Sequence, residues 1–360
     1  MTIFKQFIEG SFTPPKSLNR CKSDNNRIDS IDLAKGICIL LVLMLHISEH
    51  LIPTPNFGAL RMPLYFTLSG LFFKDYSPKV FIAKKVNNIL VPFIFWLFIS
   101  ELIYFAWQLV VTREIVTPLI FQDPEIHTVN SNGPIWFLFA LFNVNLIFYG
   151  ISFLLKDFKK IFLAVIILSF AGFLCFSANI NLPFWLDASL SALPFFFLGF
   201  FFRKIKFISS KRNFRILLAG IGFCLLSYLI YYTFGENCVG FRNNYFYGNP
   251  LLAYLNSCLF VAGILLLCQM IRWLPIISYL GRFSIIVLVL HWPIAMYLPS
   301  ILSAFTHIVL SGEEVLLLTI FSCWVAIPIC IRFIPKFVSQ KPLFKIPQTK
   351  TSKAEITISA

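Results

Sequence analysis

Charge is scarce in this sequence. Only 13% of its residues are Asp, Glu, Lys or Arg, while 58% are hydrophobic; soluble domains carry about 25% charged residues. The shortage excludes a water-soluble protein, and the polar stretches between apolar runs are too short to form a separate soluble domain. Acid is scarcer still: 16 Asp and Glu against 30 Lys and Arg leave a formal charge of +14. The first 27 residues contain no apolar core of the kind a leader needs, about 7–15 residues, so no cleaved signal peptide is expected. The first apolar run is itself the expected insertion signal. The nine cysteines include no CxxC pair and no metal-ligand spacing. Most of them (Cys38, Cys175, Cys224, Cys258, Cys268, Cys323 and Cys330) stand in apolar runs and read as small packing residues. No repeat is visible, nor an inverted pair of halves.

What is abundant is hydrophobic length. Stretches able to cross about 30 Å of hydrocarbon fall near 33–52, 57–74, 89–112, 135–155, 161–179, 185–202, 216–234, 250–271, 283–302 and 315–334. They predict an all-α fold, a polytopic membrane bundle of ten transmembrane helices. The tight link LIPTPNFG makes the first two a hairpin. Except for Arg61, Arg113 and Arg242, every Lys and Arg lies in a terminal segment or in alternate connections. The opposite connections gather Glu114, Asp123, Glu125, Glu236, Glu313 and Glu314. The positive-inside rule then puts both termini in the cytoplasm. The net charge follows from this topology and from contact with anionic lipid, and gives no argument for nucleic acid. Three regions are expected: a basic cytoplasmic segment 1–27, a membrane domain 28–335, and a disordered basic tail 336–360.

The chemistry-bearing residues concentrate in and around residues 27–50, RIDSIDLAKGICILLVLMLHISEH. Asp29, Asp32 and Lys35 open this helix; His46, Glu49 and His50 close it. Lys35 and His46 are eleven positions apart, which returns almost to the same helical face with a separation of about 16 Å. Arg61 falls at about the depth of His46 on the second span. His291 lies near the middle of the ninth, followed by Pro293, which should kink the helix and free a carbonyl. Glu101 and Asp187 are further intramembrane acids. Ionisable groups at such depths face a bundle interior and commonly mark a site or a pathway.

Five stretches resemble membrane acyltransferase family 3, particularly its sugar O-acetylase members. The opening segment fits the family's pattern of a Lys or Arg followed after ten residues by a His, here Lys35 and His46. LRMPLYFTLSGLFF is similar to its second helix. GPIWFLFALFNVNLIFY, LPFFFLGFFFRK and YLGRFSIIVLVLHWPI are similar to later helices in the same order. The resemblance implies an O-acetyltransferase of a bacterial inner membrane, moving an acetyl group from acetyl-CoA to a hydroxyl of a cell-envelope glycan or lipid-linked sugar. No extracellular hydrolase-like domain of the kind that some members append is expected.

In that reading Lys35 holds a phosphate of the donor as a point charge, with Asp32 and Arg282 as the other donor-binding candidates. The plainer alternative is a flanking cation paired with Asp32 one turn away. His46 is the candidate general base, against a packed core histidine. Arg61 suits an oxyanion or an acceptor carboxylate, or snorkels to the interface. Glu49 and His291 are candidates to orient His46, or to pack. The expected partners are acyl-CoA, a glycan or lipid-linked acceptor and membrane lipid; self-association into a homo-oligomer is left open. No metal is expected. The competing function is a transporter or flippase for a lipid-linked sugar, with the same charges lining its path.

Overall fold

The structure, a computed structural model, describes residues 10–12, 28–47, 55–112, 131–208 and 213–347. Helix α1 spans Asp29–Ile47 and α2 Arg61–Leu71. Helices α3 (Pro78–Lys85) and α4 (Val91–Trp107) run on through a π turn at Val86–Leu90. Then come α5 (Trp136–Leu155), α6 (Phe158–Ser177), α7 (Leu186–Lys204) and α8 (Phe214–Phe234). A hairpin of β1 (Cys238–Gly240) and antiparallel β2 (Tyr245–Tyr247) precedes α9 (Pro250–Ile271). Helices α10 (Ile277–Arg282), α11 (Ser284–Thr306) and α12 (Gly312–Phe333) complete the bundle. Among the described residues nine helical stretches are long and apolar enough to cross a membrane.

The expected second span is the exception. It divides into a 3-10 turn, Pro55–Ala59, and the eleven residues of α2. At 1.5 Å per residue α2 reaches only about 16 Å, half a bilayer. Arg61, its first residue, therefore starts inside the bundle.

Lipid is as apolar as leucine, so burial alone does not join these helices; close packing and interhelical hydrogen bonds do. Glycines mark the tightest crossings. A Cβ at Gly36 would overlap the Ile277 carbonyl, and one at Gly281 the Asp32 carbonyl, so α1 and α10 meet backbone to backbone. Gly70 and Gly199 do the same for α2 and α7, against the carbonyls of Phe196 and Thr67. Helix α1 also packs on α2, α9, α11 and α12, and half of its span is buried. By contrast α8 exposes Leu218, Leu225, Leu229 and Tyr232, a lipid-facing surface.

The basic connections gather at one end of the bundle. Arg203 donates to the Phe73 carbonyl, Tyr149 to that of Tyr76, and Lys156 stands 3.9 Å from Asp75. Past residue 335, in the stretch expected as a disordered tail, the chain is hydrogen-bonded there as far as residue 344. Asn87 accepts from the backbone of Leu343 and Phe344 at 2.7 and 2.8 Å, and Trp96 donates to Phe337. The hairpin caps the opposite end.

Candidate active site

At the hairpin end a cavity of about 570 Å³ opens beside the last turn of α1. Its walls are Val42, Leu45 and His46 of α1, Arg61 and Met62 at the start of α2, and Trp136 and Phe137 of α5. The hairpin supplies the roof, with Glu236, Cys238, Arg242, Tyr245 and Tyr247. The volume lies within the roughly 300–1,000 Å³ usual for small-molecule sites.

His46 is half-buried, with its ring 5.7 Å from that of His291 and stacked on it, and 5.1 Å from Trp292, edge to face. His291 is fully buried. Its Nδ1 lies 3.0 Å from the Val287 carbonyl, which can only accept, so Nδ1 carries the hydrogen. Nε2 has no hydrogen-bond partner among the described residues. Arg61, Arg242 and His291 all stand near enough to act electrostatically on His46.

Pro293 frees the carbonyl that its sequence position foretold. Lacking an N–H, it leaves the Val289 carbonyl, four residues back, without an intrahelical donor. Asn132 fills the gap: its Nδ2 donates to Val289 at 2.9 Å and to Ser100 at 2.9 Å. Ser131 donates to Glu101 at 2.5 Å and accepts from Tyr297 at its carbonyl. These bonds fix the turn 131–135, whose Gly133 lies beside Trp292 and the Arg242 guanidinium.

The hairpin is held by asparagines. Asn244, in a left-handed conformation at φ 47°, donates to the Gly172 carbonyl and accepts from Ser191 at 2.7 Å. Asn256 of α9 donates to the Asn237 carbonyl and to Asn56, and accepts from Ser227. Burial, with the Glu236 carboxylate beside it, pushes the Cys238 thiol up to about 12, so at neutral pH it is protonated and no nucleophile. Burial also lowers the Arg242 value, yet a guanidinium keeps its charge.

The donor candidates collect at the other end of α1. The Lys35 ammonium lies 5.8 Å from the Phe72 ring, just past the end of α2, and its carbonyl accepts from Tyr65. Arg282 follows the Gly281–Asp32 contact, so α10 delivers it alongside Asp32. Lys35 thus stands near the end of α2, while the His46 ring packs on α11 and lines the cavity with Arg61 at the start of α2. Glu49 and His50 lie outside the described residues. Glu101 and Asp187 do not line the cavity. Ser69 accepts from Asn145 at 3.1 Å, a bond between helices.

A family model described as an acyltransferase domain matches residues 28–334. The chain belongs to acyltransferase family 3. No curated protein and no solved structure gives a significant match. It is therefore a multi-pass membrane acyltransferase, and the matched region takes in every helix from α1 to α12. In and around the cavity stand residues that sequence reasoning passed over. Arg242 was visible as one of two cations, with Arg113, in an otherwise acidic set of connections. Trp292, next to His291, carried no signal that separates it from a lipid-facing tryptophan. Asn132 could have been sought as the partner that Pro293 demands.

Proposed function

We propose that this acyltransferase moves an acetyl group from cytoplasmic acetyl-CoA to a hydroxyl of a cell-envelope glycan or lipid-linked sugar. The observation that carries the reading is the shared helix: α1 holds Lys35, with Asp32 and Arg282 beside it, at one end and His46 in a cavity at the other. The nucleotide phosphates of the donor pair with Lys35 and Arg282. The thin pantetheine arm extends along the α2 side of α1, past Tyr65, over about 16 Å.

His46 takes the proton of the acceptor hydroxyl as that oxygen attacks the thioester carbonyl carbon. Negative charge builds on the carbonyl oxygen, and Arg61 is the nearby cation to receive it. The carbon–sulfur bond then breaks, and the imidazolium returns its proton to the departing thiolate. Stacking on His291 and the edge contact with Trp292 limit rotation of the His46 ring. Tyr245, Tyr247 and Trp136 offer the aromatic surface on which a pyranose packs.

The test has two arms. Purified protein given acetyl-CoA and an extract of its host's envelope glycans should release free CoA, and mass spectrometry of those glycans should show an acetyl mass that disappears when the gene is deleted. Unchanged glycan masses together with no CoA release would refute the proposal.

A further inference from the structure

We infer that Arg242 recognises an anionic group on the acceptor: the acyl acceptor carries a sugar carboxylate, or the phosphate of its carrier, and the hairpin holds that group while a hydroxyl meets His46. The acceptor's part in this rests on the acyl-transfer reading above; the preference for negative charge does not.

Four observations support it. Arg242 has neither an ion pair nor a hydrogen bond among the described residues, yet it lines the cavity that contains His46. Its position is built rather than loose. It sits in the 3-10 turn Phe241–Asn243, between Phe241, which packs on Phe66 and Phe195, and Asn244, which is bonded to α6 and α7. The guanidinium lies against the 131–135 turn: a Cβ at Gly133 would stand 3.4 Å from Nη1 of Arg242 and 3.7 Å from the Trp292 ring, ordinary contact distances. Among the described residues that line the cavity one carboxylate, Glu236, stands with Arg242, and its Oε1 accepts from the Cys238 thiol at 3.4 Å, so it makes no bond to the Arg242 guanidinium. A rigid fork of N–H donors with no acceptor of its own suits the planar oxygens of a carboxylate or the tetrahedral ones of a phosphate. A neutral sugar would leave that fork unanswered, a poor use of a cation inside a partly desolvated cavity.

The experiment measures binding, not turnover, in full-length protein reconstituted into phosphatidylcholine nanodiscs. Methyl glucuronide, glucose 1-phosphate and methyl glucoside are titrated while intrinsic tryptophan fluorescence is followed, since Trp136 lines the cavity and Trp292 flanks His46. One anionic probe should half-saturate at a concentration about tenfold below the neutral glycoside, the worth of one charge-assisted hydrogen bond. Which anion leads tells carboxylate from phosphate. Arg242→Gln should abolish the preference and Arg242→Lys should keep part of it. Charge-blind binding, no response to either anion, or an undiminished preference in Arg242→Gln overturns the assignment. A second arm adds phosphatidylglycerol to the discs; if that lipid alone erases the response, the cation serves the bilayer and the acceptor assignment falls. Failure of the acyl-transfer reading would show separately, as absent CoA release in a protein that still prefers the anion.

Discussion

Replacing His46 with glutamine tests the mechanism at its centre. Glutamine is of similar size and keeps hydrogen-bonding capacity, but it cannot accept a proton at neutral pH. The stability cost is bounded by what the ring touches: one stacked contact at 5.7 Å and one edge contact at 5.1 Å, with no hydrogen bond among the described residues. Aromatic contacts of that kind contribute about 0.5–1.5 kcal/mol each, so the bundle should stay folded. Loss of a general base should cost about 10²–10⁴ in rate, equivalent to about 3–5 kcal/mol of barrier. CoA release, followed with a thiol-reactive dye in detergent, reads the rate; a melting curve on the same sample reads the fold. A normally folded His46→Gln variant that turns over within about threefold of wild type would remove His46 from the chemistry, because no general base contributes so little.

Lys35→Ala should act on the donor alone, raising KM for acetyl-CoA about tenfold, the scale of one charged hydrogen bond, with kcat little changed. A defect confined to the acceptor would contradict its placement at the opposite end of α1. Asn132→Leu removes two buried hydrogen bonds at 2.9 Å and strands the Val289 carbonyl. It should destabilise the protein by about 1–3 kcal/mol and lower kcat as the turn over Trp292 loosens; an unchanged melting temperature would show that the freed carbonyl had found another donor.

The family and the helical membrane fold were legible in the sequence. Helical arithmetic sets Lys35 and His46 about three turns apart, and α1 is unbroken between them. Pro293 announced a free carbonyl, and the structure supplies Asn132 as its partner. The short second helix was harder to foresee. Its apolar run is long enough on hydropathy, and only the backbone shows that Pro55–Ala59 forms a separate turn, leaving α2 at half a bilayer. Arg242 escaped because its importance lies in what the hairpin folds against, and a three-residue strand gives no periodic signal. Asn87 likewise looks like an ordinary helix residue until residues 343 and 344 arrive from more than 250 positions away to bond with it.

The hairpin roof has a thermodynamic meaning. Its asparagine bonds to three helices fix the backbone around Arg242 during folding, when each ordered residue costs about 1–2 kcal/mol of conformational entropy. A ligand arriving later need not order that loop again, so little of its interaction energy is diverted from binding. A roof frozen in advance can therefore serve a weakly held, quickly exchanging sugar, where a floppy one would demand many more contacts for the same occupancy.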